Sequence, residues 1–169
     1  MLTFSEDRAH QVSFALRLAF SPEVMSFGHR SLLSSLRGSS VSTTVDMTRQ
    51  DWLAEAGCLT RILRDNFNEQ DRLFLQAYCT IATDMHRYQE KMIACAEVAA
   101  HMHGSRSVDK HEYCKFVMRW MGMSEIAKPA INRMSQWRYS NELRARRDAI
   151  IGRLEMLVCD LSFTQARPS

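Results

Sequence analysis

Glycine and proline are scarce in this 169-residue chain, 6 and 3 residues respectively. Valine is thin beside leucine, methionine, alanine and arginine. So few turn formers and β-branched residues argue against a strand-rich fold and favour long helices. No apolar run approaches the roughly 18 residues that a membrane span requires. The opening MLTFSEDRAH carries acidic residues and no apolar core, so it does not read as a secretory leader. There is no CxxC or HExxH spacing, no glycine-rich phosphate loop and no nucleophile elbow. These absences point away from a membrane protein, a disulfide scaffold and an enzyme. The five cysteines (Cys58, Cys79, Cys95, Cys114 and Cys159) are odd in number and widely separated among apolar neighbours. They read as small core residues in a reducing compartment, which makes a cytoplasmic location the expectation.

What the chain does have is ordinary globular material, 46% hydrophobic and 24% charged, long enough to bury a core without metal or disulfides. Its net charge of +3 is unevenly spread. Residues 110–153 hold 10 Lys/Arg against 4 Asp/Glu, an excess of +6, whereas residues 1–109 carry −2 and residues 154–169 carry −1. A positive excess confined to one quarter of the chain suits a phosphate backbone.

Helix signals run along the whole chain. Ser5 caps a first helix with Val12, Ala15, Leu16 and Ala19 at helical spacing, and Ser21-Pro22-Glu23 starts a second. Phe14, Leu18 and Phe20 make the first helix apolar nearly all round, either buried or docked on a partner. Residues 38–47 (GSSVSTTVDM) read as a linker, which sets residues 1–37 apart as an N-terminal helical arm. Thr48 and Asp51 resemble a capping box before Trp52, Ala56, Leu59, Ile62 and Leu63. Asn68-Glu69-Gln70-Asp71 breaks and restarts the chain ahead of Leu73, Phe74, Ala77, Tyr78 and Ile81. Thr83 or Asp84 caps a helix to about residue 103 with Met85, Tyr88, Met92, Cys95, Ala96 and Ala99 as its stripe, and Gly104 ends it. Ser107 caps the next, with Tyr113, Phe116, Val117 and Trp120, and Gly122 closes it. A last helix spans about 137–162 with Leu143, Ile150, Leu154, Leu157 and Leu161. The fold class is therefore all-α, with a compact multi-helix domain over 48–169.

The segment 109–150 carries the functional expectation. Helix, Gly122, apolar Met123, polar Ser124 and a second short stripe (Ile126, Ala127, Ala130, Ile131 and Met134) follow the order of a helix-turn-helix. The outer face of its second helix would offer Ser124, Glu125, Lys128, Asn132, Arg133 and Gln136 to base edges. Trp137, Arg138, Tyr139, Arg144, Arg146 and Arg147 would hold phosphates. Pro129 forces that second helix to begin there or to kink. The bland alternative is a bundle helix pair with a solvated basic face.

The order of residues 51–81, DWLAEAGCLTRILRDNFNEQDRLFLQAYCTI, and of 116–161, with SEIAKPAINRM and DAIIGRLEMLVCDL, resembles the late-gene antitermination (Q) proteins of lambdoid phages, in particular the smaller type without a zinc finger. The resemblance covers about the C-terminal two-thirds. It implies a sigma-region-like DNA-binding part, binding of duplex DNA near a late promoter and engagement of RNA polymerase. On it, Lys128, Asn132, Arg133 and Arg138 face DNA. The spacer 82–110 and the N-terminal arm depart from that family's pattern.

Cys95, His101, His103, His111 and Cys114 are chemically able to bind zinc, but core thiols and surface histidines are the plainer reading. Met118, Met121, Met123 and Met134 serve either as core filler or as a plastic partner surface. The expectation is thus a phage or prophage transcription regulator that binds DNA, without cofactor, small-molecule substrate or catalysis. Its oligomeric state is open. The alternative is a helical inhibitor or adaptor that binds a protein, for example one blocking a host nucleic-acid machine.

Overall fold

The computed structural model describes Leu16, Arg17, Phe20 and residues 49–103 and 108–165. Most of the expected N-terminal arm and all of the linker lie outside these residues, as do Thr48, Gly104 and Ser107. Among the described residues the fold is all-α, with five helices and no strand: α1 (Arg49–Asn66), α2 (Glu69–Cys79), α3 (Met85–His103), α4 (Lys110–Trp120) and α5 (Arg133–Gln165). No helix among them is long and apolar enough to cross a membrane. The chain divides into two compact units, one formed by Asn68–Arg147 and the other holding α1 and α5 from Asp148 onward. Both boundaries fall within the expected 48–169 domain.

In the second of these units, α1 buries Ala56, Leu59, Ile62 and Leu63, with Phe67 just beyond its end. These positions recur at three- and four-residue steps, so they fall on one side of a helix. Ile150, Ile151, Leu154 and Val158 of α5 are buried by the same logic, as is Leu16. The Arg153 guanidinium lies 5.0 Å from the centre of the Phe67 ring.

The Asn68–Arg147 unit begins at a cap. Asn68 is extended, and its side-chain oxygen accepts the Asp71 amide at 2.8 Å, satisfying an N–H that the first turn leaves without a partner. α2 then buries Phe74, Leu75, Ala77, Tyr78 and Cys79, and α3 packs against both α2 and α4. Asp84 starts α3 by accepting the Arg87 amide at 2.8 Å. The buried face of α3 is Lys91, Ala94, Cys95, Val98, Ala99 and His103. This corrects the expected stripe, because Met85 is 72% exposed and Ala96 is exposed as well. Alanine on several sides of α3 leaves the apolar phase poorly marked. Lys91, which reads as a surface residue, is buried with its ammonium donating to the Thr80 carbonyl at 2.9 Å.

Asp109 is the cap of α4, its carboxylate accepting the His111 amide at 2.7 Å. That corrects the expectation of Ser107. α4 ends as expected at Gly122, whose φ of 89° places it in the left-handed region. The Met123 amide donates to the Met118 carbonyl and the Gly122 amide to the Arg119 carbonyl, each at 3.1 Å, and Met118 and Met123 are both buried. This is the Schellman arrangement, which glycine permits without a Cβ penalty.

The expected second helix of the helix-turn-helix is not there. Residues 121–132 form turns and non-helical backbone, and the next helix starts only at Arg133. A helix-turn-helix joins its helices by three or four residues; twelve intervene here. Pro129 lacks an amide hydrogen and drives Lys128 out of the helical region, so the segment cannot hold a continuous helix through this point. α5 starts four residues after that proline, with the Asn132 side chain accepting the Ser135 amide at 2.8 Å.

Candidate nucleic-acid interface

The face of α5 that begins at this cap is read by counting. Arg133, Gln136, Trp137, Ser140, Asn141 and Arg144 follow at steps of three and four, which places them along one side of the helix. The end of α4 presents Phe116, Arg119 and Trp120 at the same steps, and Lys128-Pro129 closes the third side. Together these residues line a cleft of about 740 Å³ open to solvent, wholly inside the Asn68–Arg147 unit. Four of the lining side chains are cationic and none is a carboxylate. Arg119, Lys128 and Arg133 are exposed and make no ion pair with any described residue.

The walls are fixed in different ways. The Trp120 indole N–H donates to Ser140 Oγ at 3.3 Å, and its ring sits 5.6 Å from Tyr78 and 6.4 Å from Phe74. Trp120 therefore ties α4 to α5 and anchors the cleft to the core. The loop wall is held by Glu112, which accepts the Ala130 amide on one oxygen and the Lys115 ammonium on the other. The Ala130 amide first and Lys115 second keep the Glu112 carboxyl below the ordinary carboxylate range. A carboxyl with a lowered folded-state pKa stabilises the fold above its unfolded value and loses that contribution as pH falls through the folded one. Hydrogen exchange at the Ala130 amide, relative to its intrinsic rate, is thus expected to quicken in acid. Glu112→Gln should give the same faster exchange already at neutral pH. Unchanged protection in both would show that Glu112 does not hold this wall.

Of the ten residues expected to face DNA, Lys128, Arg133, Gln136 and Arg144 are brought together in the cleft. Asn132 serves as the helix cap, and Ser124 is exposed away from the cleft lining. Arg138 is exposed on α5 and pairs with Glu142 one turn on, at 3.2 Å. The remaining three are withdrawn from the surface role. Tyr139 is 4% exposed, edge-on to Tyr113 at 4.8 Å and to Phe116 at 5.9 Å. Arg147 is 6% exposed, its guanidinium 5.9 Å from the Tyr78 ring centre and its Nη1 donating to the Tyr78 hydroxyl at 3.5 Å. Arg146 is half-buried, paired with Asp71 at 3.2 Å and lying 5.6 Å from the Phe74 ring centre. The reason is helical phase: Tyr139, Leu143, Arg146 and Arg147 share the inward side of α5, so the run of arginines splits between two faces. Sequence reading missed Arg119, Trp120 and Asn141, and it read Trp137 for phosphates alone. Starting the three–four count at Arg133, four residues earlier than expected, exposes the α5 members.

The residues considered for zinc behave otherwise. Among the described residues no group of three or more His, Cys, Asp or Glu is placed to hold a metal ion. Burial pushes the Cys95 thiol up to about 12, with Lys91 acting in the opposite direction and Cys114 adding to the rise. Burial raises Cys114 as well. Thiols in this state are protonated and poor ligands. His103, expected at the surface, is buried, with Nε2 2.6 Å from the Val108 carbonyl oxygen, to which it donates. Cys58 is exposed, against the expectation that the cysteines serve the core. Met118, Met121 and Met123 are core residues, whereas Met134 is exposed.

No protein-family model, no curated protein and no solved structure matches this chain.

Proposed function

We propose that this chain is a nucleic-acid-binding protein that acts by binding and not by catalysis, gripping the phosphates of DNA through the cleft between α4, α5 and the Lys128-Pro129 loop. The observation that carries this reading is the convergence of Arg119, Lys128, Arg133 and Arg144 on one concavity without a carboxylate among its lining residues. Three of the four, Arg119, Lys128 and Arg133, are exposed without an ion pair to any described residue and so are available to displace counterions from a phosphate backbone. Within this reading, the resemblance to phage antitermination proteins makes the chain a transcription regulator that engages RNA polymerase. With no recognition helix after Gly122, its grip on a duplex is to the backbone.

The test is a titration of fluorescently labelled duplex DNA over a range of salt. Three phosphate contacts should weaken affinity by about 40-fold between 50 and 200 mM salt, from a slope near −0.9 per phosphate. Affinity that does not respond to salt, or none at 50 mM for the duplex and for a single strand alike, would overturn the proposal. A second reading, a protein-binding inhibitor or adaptor, is favoured by the exposed apolar side chains Met85, Ile93, Met134 and Met156. It predicts that the same cations leave DNA affinity unaffected.

A further inference from the structure

We infer that the cleft is a base-stacking site for an opened or single-stranded segment of nucleic acid, with Trp137 as the platform and the surrounding cations on the flanking phosphates. This rests on the nucleic-acid reading above and specifies the form of strand that enters. Four observations carry it. Trp137 stands 66% exposed on the first turns of α5, at the margin of the cleft, although a tryptophan is ordinarily drawn into a core. A phosphate grip alone has no use for that ring. The cleft is also concave, and its volume of about 740 Å³ lies within the range of small-molecule clefts. A paired double helix is convex, and its bases are closed to stacking from outside. An unpaired base offers its face directly, as in single-strand binders that combine aromatic platforms with basic grooves.

Polar chemistry for the base edge is present beside the platform. Asn141, half-buried on the next turn of the same face, makes no side-chain hydrogen bond to any described residue and offers both a donor and an acceptor. Gln136 is held through its amide nitrogen by the Ile131 carbonyl, which leaves its oxygen as an acceptor. The cations are too widely spread for one free nucleotide. Arg133 and Arg144 are eleven residues apart on α5, roughly 16 Å at the helical rise, so they address phosphates that lie more than one nucleotide apart on a strand.

The experiment compares four probes by fluorescence: a twelve-residue oligothymidylate, an abasic phosphodiester of equal length, a matched duplex and thymidine monophosphate. The thymidylate should bind about tenfold or more tightly than the abasic strand, the expected gain from a stacked base, and should quench tryptophan emission. Trp137→Ala should remove that preference while leaving the salt dependence intact, and Trp137→Phe should retain most of it. Equal affinity for the thymidylate and abasic strands, a preference that survives Trp137→Ala, or monophosphate binding as tight as the oligomer would overturn the stacking site while phosphate binding persists. Failure of every probe to bind would overturn the nucleic-acid reading itself. Circular dichroism of Trp137→Ala should match the parent, because the ring is mostly in solvent.

Discussion

Simultaneous replacement of Arg119, Lys128 and Arg133 by glutamate is expected to abolish nucleic-acid binding while the protein stays folded. Each of these side chains is exposed and unpaired among the described residues, so reversal breaks no internal ion pair. Exposed substitutions of this kind usually change stability by only about 0.5 kcal/mol. On the binding side, each loses a charge-assisted contact of about 1.5–3 kcal/mol and gains repulsion from the same phosphate. The combined loss is at least about 4 kcal/mol, or roughly a thousandfold at ~1.4 kcal/mol per decade. Anisotropy titration at low salt reads it directly. The informative control is Arg147→Met, which removes one positive charge at a buried position, as Arg133→Met does in the cleft, and which should leave affinity unchanged. If the triple variant binds as the parent does, the cleft is not the interface. If Arg147→Met weakens binding as strongly as Arg133→Met, total charge matters and the surface arrangement does not.

That contrast shows where sequence reading succeeds and where it stops. Helix existence is local, and it is legible: Ala56, Leu59, Ile62 and Leu63 mark α1, Asn68 marks a restart, and Gly122 marks an end, because caps and left-handed stops are set within a few residues. The phase of a weakly amphipathic helix is not local. In α3, Lys91 turns inward because the Thr80 carbonyl awaits it eleven residues back, a partner that periodicity cannot see. The same limit applies to charge. The +6 segment correctly marks the region of the cleft, but Arg146 and Arg147 are spent on Asp71 and Tyr78, some seventy residues distant in the chain. The second helix of the helix-turn-helix failed for a reason already present in the sequence: Pro129 outweighs the stripe of Ile126, Ala127, Ala130 and Ile131 around it. Arg119 and Trp120 join the site only because Trp120 bonds to Ser140 across to α5, so their part in it was invisible to any single-helix count.

The cleft can keep its shape only if the helices behind it are fixed, and that support centres on Tyr113. This residue of α4 is fully buried. Its ring meets Tyr139 of α5 edge-on at 4.8 Å, His103 at the end of α3 at 5.6 Å and Phe116 at 6.4 Å, so one side chain joins three helices. Edge-to-face ring pairs add about 0.5–1.5 kcal/mol beyond their buried area. Truncating a buried aromatic to alanine generally costs about 3–5 kcal/mol, from lost transfer energy and the void left behind. Against a total domain stability of about 5–15 kcal/mol, Tyr113→Ala should remove much of the margin of the Asn68–Arg147 unit. Urea unfolding followed by tryptophan emission reports on it, since Trp120 and Trp137 both lie in that unit. Tyr113→Phe separates packing from polarity, because it keeps the ring and removes only the hydroxyl. The expected order of midpoints is parent, then phenylalanine, then alanine well below. In the alanine variant, oligothymidylate affinity should fall together with the tryptophan signal, because the α4 and α5 walls lose their common support. A midpoint for Tyr113→Ala within error of the parent would mean that the three helices are held together elsewhere and that the cleft walls rest on a different core.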